Sequence, residues 1–263
     1  MDLLQSAVLG FIQGVTEWLP ISSTGHLRIA EHYFGLTVPL LFDVVLHLGT
    51  LIVILIFFRK DVLNILKALT RGDFKSEDGK IIPLIVVGTI PTLLIGFFLG
   101  DILNKNFSSV PALGAGFIIS GFAVYTTKFG KETKQDITFI EALIVGTAQG
   151  LAIIPSVSRS GFTIVAALLL GMKRKEAFKF SFLLSVPSIV GALGLTLYQQ
   201  HAELTLASIG LTEIAVGIAA SIFVSFLALK LLWRTLATRR FHLFAFYCFA
   251  VGAILLALNL VGL

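Results

Sequence analysis

Apolar residues run along this chain in long blocks. Six of them, at about 40–58, 81–100, 110–126, 178–198, 209–233 and 241–262, approach the roughly 20 residues that a helix needs to cross a bilayer. Each is predicted to be a spanning helix. Two shorter regions break the pattern with dense polar groups. "TEWLPISSTGHLR" (16–28) packs Glu17, serines, threonines, His26 and Arg28 into an otherwise greasy start, and "PSVSRSGFT" (155–163) does something similar beyond the middle.

Composition decides which solvent the chain lives in. Of 263 residues 56% are hydrophobic and 13% charged, with a mean hydropathy of +0.95. A soluble domain carries about 25% charged residues, so an all-α integral membrane protein is predicted and a soluble fold with a large buried core is excluded. Residues 1–15 lack the basic start of a cleavable signal peptide. The single cysteine, Cys248, excludes an intrachain disulfide and reads as inert packing within a span.

The basic residues set the orientation. Arg59, Lys60, Lys67, Arg71, Lys75 and Lys80 follow the first span, and Lys128, Lys131 and Lys134 follow the third. Lys173, Arg174, Lys175 and Lys179 precede or open the fourth; Lys230, Arg234, Arg239 and Arg240 join the fifth to the sixth. The alternate loops, 101–109 and 199–206, hold only Lys105 between them. The positive-inside rule then places 59–80, 126–140, 172–177 and 230–240 in the cytoplasm and both termini outside. The net charge of +5 is therefore a topology signal. A nucleic-acid partner, which would need a basic patch on one soluble face, is not expected.

Arg28 and Arg159 fall outside this scheme, and an internal repeat explains part of that. Shifted by 136 residues, "GFIQGVTEWLPISSTG" (10–25) lies over "GTAQGLAIIPSVSRSG" (146–161) without a gap. Gly10, Gln13, Gly14, Ser22 and Gly25 meet Gly146, Gln149, Gly150, Ser158 and Gly161, and Gly35 and Phe42 meet Gly171 and Phe178. The second copy begins and ends beside cytoplasmic basic residues. Its two legs of about 15 residues are roughly 22 Å each, short of a hydrocarbon core of about 30 Å. A re-entrant hairpin is predicted; two short tilted spans are the alternative. The expected architecture is an inverted-topology repeat, with residues 1–130 holding a hairpin at 4–35 and residues 131–263 one at 141–171. Such repeats carry their sites near the midplane, where broken helices meet.

The candidate chemistry follows the bend prolines, Pro20 and Pro155. Short hydroxyls, a glycine and a new helix start form an anion site, so Ser22, Thr24, Ser158, Ser160 and Thr163 are candidate phosphate ligands. Helix capping is the plainer reading for Ser22 or Ser156. Arg159 adds a planar fork for phosphate oxygens, and an arginine carried into a membrane points to function. The copies differ where chemistry needs them to: Glu17 lies over Ile153 and His26 over Phe162. Gln13 and Glu17, four apart, share a helical face and offer oxygens to a divalent metal that also uses phosphates and water. Glu17, Ser23 and His26 are the parts of an acid–base or nucleophilic site. Glu17 also has a structural alternative, as counter-ion to Arg159.

Together "QGVTEWLPISSTGH" and "PSVSRSGFT" resemble the two signature segments of the undecaprenyl-pyrophosphate phosphatase family, the bacitracin-resistance type, and the similarity covers nearly the whole chain. The resemblance implies hydrolysis of the terminal phosphate of a C55 polyprenyl pyrophosphate, recycling the monophosphate carrier for cell-wall and glycan assembly. It implies functional roles for Glu17, Ser23, His26, Ser158, Arg159 and Thr163, with Gln13 at a place that is Glu or Gln in the family. The metal expected at Gln13 and Glu17 is Mg²⁺ or Ca²⁺, membrane lipids are the surroundings, and the resemblance favours a plasma-membrane site facing outside. Whether Ser23 or His26 attacks stays open, and a homo-oligomer stays among the expected partners. Ser156 departs from the family pattern, which has glycine there. A type-2 phosphatidate phosphatase fits poorly, because Thr163 stands where a histidine would close the second motif. A lipid-phosphate transporter or flippase shares the repeat architecture but needs neither nucleophile nor base.

Overall fold

The computed structural model describes residues 1–36, 38, 40–199 and 210–260. The described residues form eleven α-helices and no strand. They are α1 (Leu3–Thr16), α2 (Ser23–Phe34), α3 (Leu40–Phe57), α4 (Arg59–Arg71), α5 (Ile81–Asn106), α6 (Val110–Thr126), α7 (Phe139–Leu151), α8 (Arg159–Leu169), α9 (Arg174–Gln199), α10 (Leu211–Ala237) and α11 (Phe244–Leu260). Among the described residues five stretches are long and apolar enough to cross a membrane: Ile81–Leu103, Val110–Phe129, Arg174–Tyr198, Leu211–Ala237 and Phe241–Leu260. Phe42–Phe57, the greater part of α3, is a sixth apolar stretch among the described residues, and it is followed across a bend of 82° by Arg59–Arg71. The sequence places a span at 40–58, and α3 fills it; the chain then turns sharply where apolar sequence gives way to Arg59-Lys60-Asp61. Most of the bare loop at 199–206 lies outside the described residues.

Small residues let these helices approach closely, the usual device where lipid removes any hydrophobic drive between them. α1 packs along α10 and α7 along α5, while α6 packs along α11. A Cβ on Gly14 would lie 2.8 Å from the Ser221 carbonyl oxygen, and one on Gly10 would collide with the Gly217 backbone. Gly146 meets the Gly88 backbone in the same way, and Gly114 and Gly252 face each other between α6 and α11. Hydroxyls bond across the seams: Ser225 Oγ donates to the Gly14 carbonyl (3.3 Å) and Thr92 Oγ1 to that of Gly146 (2.9 Å).

The four basic segments meet at one end of the bundle. Lys80 binds Asp136 at 2.7 Å, Glu132 binds both Arg174 (3.0 Å) and Arg239 (3.2 Å), and Lys179 binds Asp61 at 2.6 Å. Segments that the charge pattern assigns to one side are thus tied to one another. The α7–α8 pair leaves and returns at this same end: Thr133 N–H donates to the Gly171 carbonyl (2.8 Å) and Lys173 N–H to that of Lys134 (2.9 Å). A single crossing would separate those residues by the membrane thickness, so the pair is a helical hairpin. Its helices hold 13 and 11 residues, about 20 and 17 Å. α1 and α2 pack together as the other hairpin.

Candidate active site

The two hairpins meet at their tips. α1 ends at Thr16, and Glu17 still closes its last turn through an N–H bond to the Gln13 carbonyl (2.9 Å). The chain then turns through Trp18 and Pro20, and Ser22 starts α2 as its N-cap, its Oγ accepting from Gly25 N–H. Ser158 caps α8 in the same way through Gly161 N–H (3.2 Å). Ser160 Oγ donates to the Leu19 carbonyl (3.2 Å), and the ring of Pro20 lies against Gly161. Cys248 on α11 donates its thiol to the Pro20 carbonyl at 3.4 Å, so the lone cysteine braces the first tip.

This junction converges on Glu17, which is only 7% exposed. One carboxylate oxygen, Oε1, is held by Arg159 Nη2 from the other hairpin. The other accepts from Ser23 Oγ at 2.6 Å and from Gln13 Nε2 at 3.1 Å, and His47 Nε2 on α3 stands 3.8 Å away. Residues 142 apart in sequence thus form one cluster. A buried carboxylate is tolerated only with such partners, because desolvation of an unpaired charge costs several kcal/mol. The Arg159 guanidinium lies 5.6 Å from the centre of the fully buried Trp18 ring, within cation–π range. Arg159 and Trp18 together border a cavity also lined by Ser160, Thr163, Ser181, Phe182 and Ser185.

The predicted phosphate ligands divide into distinct settings. Ser22 and Ser158 serve as caps, as the plainer reading has it for Ser22; Ser156 caps nothing. Thr163 is buried, donates to the Arg159 carbonyl (2.9 Å) and accepts from Ser181 Oγ. Ser158 and Ser160 are buried beside each other at 3.3 Å. Thr24 is exposed at the first turn of α2. Ser156 has a φ of +67°, a left-handed backbone that glycine adopts without strain. That is the geometric reason a glycine suits the position, and the Ser156 Oγ is buried without a hydrogen-bond partner.

His26 has partners of its own. Its Nδ1–H donates to the Ser22 carbonyl (2.7 Å), and Nε2 accepts from the Tyr247 hydroxyl (2.7 Å), with the two rings stacked at 5.7 Å. Phe117 meets the imidazole edge-on at 5.1 Å. Sequence reasoning missed Trp18, His47 and Tyr247 as parts of the site. The signal for His47 was available, since an ionisable residue inside an apolar span invites a functional reading; an aromatic such as Tyr247 in a membrane helix carries none.

The residues present fit a divalent cation of limited demands. Gln13 Oε1 is buried and unpartnered beside the Glu17 carboxylate. Among the described residues no group of three or more His, Cys, Asp or Glu could hold a metal.

Comparison with known proteins places the whole chain in one family. The family model for bacitracin resistance protein BacA matches residues 6–254. An undecaprenyl-diphosphatase of Carboxydothermus hydrogenoformans is 40% identical over 269 residues, covering all of this chain and 99% of the relative. Relatives of the same name from Desulfosudis oleivorans (41%, covering 97% of this chain and 98% of the relative) and Korarchaeum cryptofilum (39%, 98% and 100%) align end to end as well. With a match of that length containing both hairpin tips and every residue of the Glu17 cluster, this multi-pass membrane chain belongs to the bacitracin resistance protein BacA family.

Proposed function

We propose that this chain hydrolyses undecaprenyl pyrophosphate to the monophosphate and inorganic phosphate, at the junction of the two hairpin tips. The observation that carries the reading is Glu17 holding Ser23 Oγ on one oxygen and Arg159 on the other. The first contact supplies a base for a nucleophile and the second a cation for a phosphate. Full-length similarity to relatives named undecaprenyl-diphosphatase supports the substrate.

In this mechanism Ser23 Oγ attacks the terminal phosphorus while its proton passes to Glu17. The bond from phosphorus to the bridging oxygen breaks, and the lipid monophosphate leaves with that electron pair. Arg159 exchanges its contact with Glu17 for the oxygens of the terminal phosphate and stabilises the charge spread over them. Glu17 gives that proton to the departing monophosphate, then takes one from the water that attacks the phosphoserine phosphorus and returns it to Ser23 Oγ as phosphate leaves. Gln13 and Glu17 would hold Mg²⁺, which supplies neutralisation of pyrophosphate charge. His26 is a weaker nucleophile candidate, since the lone pair on Nε2 is engaged by Tyr247 and Nδ1 by Ser22. The active site opens toward the outer face in this reading, opposite the end where the basic segments gather.

The test is release of inorganic phosphate from purified protein in detergent, with single-turnover trapping of labelled terminal phosphate. Ser23→Ala should abolish both release and covalent labelling, while His26→Ala should slow release and leave some labelling. Turnover by Ser23→Ala near the wild-type rate would remove Ser23 as nucleophile.

A further inference from the structure

α4 takes no part in the site, yet its surface is ordered in a way the hydrolytic reading does not use. The 82° bend at Phe58 turns it nearly perpendicular to α3. A helix in that relation to a membrane-crossing neighbour runs along the membrane plane. Its 13 residues divide into three arcs around the axis. Ile65 and the buried Ala68 face the protein, and Asp61 pins that side to α9 through Lys179 at 2.6 Å. Leu63, Leu66 and Leu69 form a second arc, respectively 55%, 50% and 49% exposed. Lys60, Lys67 and Arg71 form a third, also exposed; Arg59, exposed too, lies at the bend on the leucine side of the axis. None of these four cations belongs to an ion pair among the described residues, although basic residues elsewhere at this end of the bundle do.

A helix with an apolar arc, an adjoining basic arc and too little length to span is built to lie in an interface. Leucines half open to water would be costly, whereas the boundary between headgroups and acyl chains accepts them. Long basic side chains at the same depth reach up to phosphates. We propose that α4 is an interfacial anchor for anionic phospholipid: the Leu63, Leu66 and Leu69 arc is buried in the acyl region of the leaflet at the basic end of the bundle. Lys60, Lys67 and Arg71 hold its headgroup phosphates. The ligand is a glycerophospholipid of net negative charge, and its contacts are separate from those of the pyrophosphate substrate. The charge of the helix selects this partner over a second copy of the chain, whose α4 would bring four like charges against four.

The proposal is tested on the full chain in nanodiscs. Leu66→Cys is labelled with an environment-sensitive fluorophore; the native Cys248 is buried, and unlabelled wild type is the control. Discs of phosphatidylcholine and phosphatidylglycerol carry a lipid spin-labelled high on its acyl chain. Strong quenching by that lipid and weak quenching by aqueous iodide are expected. The reverse pattern, or quenching that depends on more than one copy per disc, would overturn the anchor. The charge arm uses a Lys60→Gln, Lys67→Gln, Arg71→Gln variant, with retained phosphate release in detergent as the check on folding. Lipids that co-purify with wild type should be enriched several-fold in phosphatidylglycerol over phosphatidylcholine, and the variant should lose most of that enrichment. Unchanged enrichment would show that the basic arc does not read the headgroup.

Discussion

At the scale of single residues, the site turns on what Arg159 and His26 are bound to. Arg159 has a fork held between the Glu17 carboxylate and the Trp18 face, and an ammonium can reproduce neither the planar contact nor two-oxygen binding. Arg159→Lys should therefore lose about 10²–10³ in turnover, the usual effect of removing one preorganised charge-stabilising group, while the protein keeps its fold. Phosphate release at near wild-type rates would reduce Arg159 to a counter-ion. Tyr247 reaches His26 from α11 across 221 residues of sequence. Tyr247→Phe keeps the stacked ring and frees Nε2, so its expected effect is on His26 alone. A several-fold fall in kcat with unchanged KM, absent when His26→Ala is already in place, would show that the hydroxyl acts through the imidazole.

Among the elements, the hairpin turns hold local strain. Ser22 and Ser156 are two of the three non-glycine residues at positive φ among the described residues, and both sit in the tips. A left-handed backbone costs a side-chain-bearing residue about 1–2 kcal/mol. Ser156 also buries an unpartnered hydroxyl. Ser156→Gly should relieve both, raising the melting temperature or leaving it unchanged with activity intact. A marked loss of stability would mean that the Oγ has a partner of its own, such as a buried water. Ser22→Gly is a different case: it relieves strain yet removes the cap that accepts from Gly25.

For the whole molecule, the expected orientation rests on the charge pattern, and the ion pairs show that the basic segments share one end. In intact cells, Ser109→Cys in the loop between α5 and α6 should react with a membrane-impermeant thiol reagent. Lys75→Cys should react only after permeabilisation. The opposite result would invert the molecule and move the proposed site opening to the cytoplasmic side.

Much of this was determined by the sequence alone. The membrane class, the position of nearly every long helix and the two bent hairpins follow from run length, charge content and the 136-residue self-match, because the bilayer imposes lengths and places charges almost independently of packing. The Gln13–Glu17 contact was legible too, being one helical turn. Distance along the chain hid the rest. Nothing in residues 16–28 says that Glu17 will meet Arg159, that Ser23 rather than His26 will lie on its carboxylate, or that His47 and Tyr247 will come in from α3 and α11. Those choices belong to the tertiary structure, since they depend on glycine seams that set how deeply each hairpin seats against its neighbours. The turn at Phe58 is of the same kind: the charges of Arg59, Lys60 and Asp61 forbid the helix from continuing in hydrocarbon, while its direction is set by the protein face that Ala68 packs against and the Lys179 that Asp61 finds.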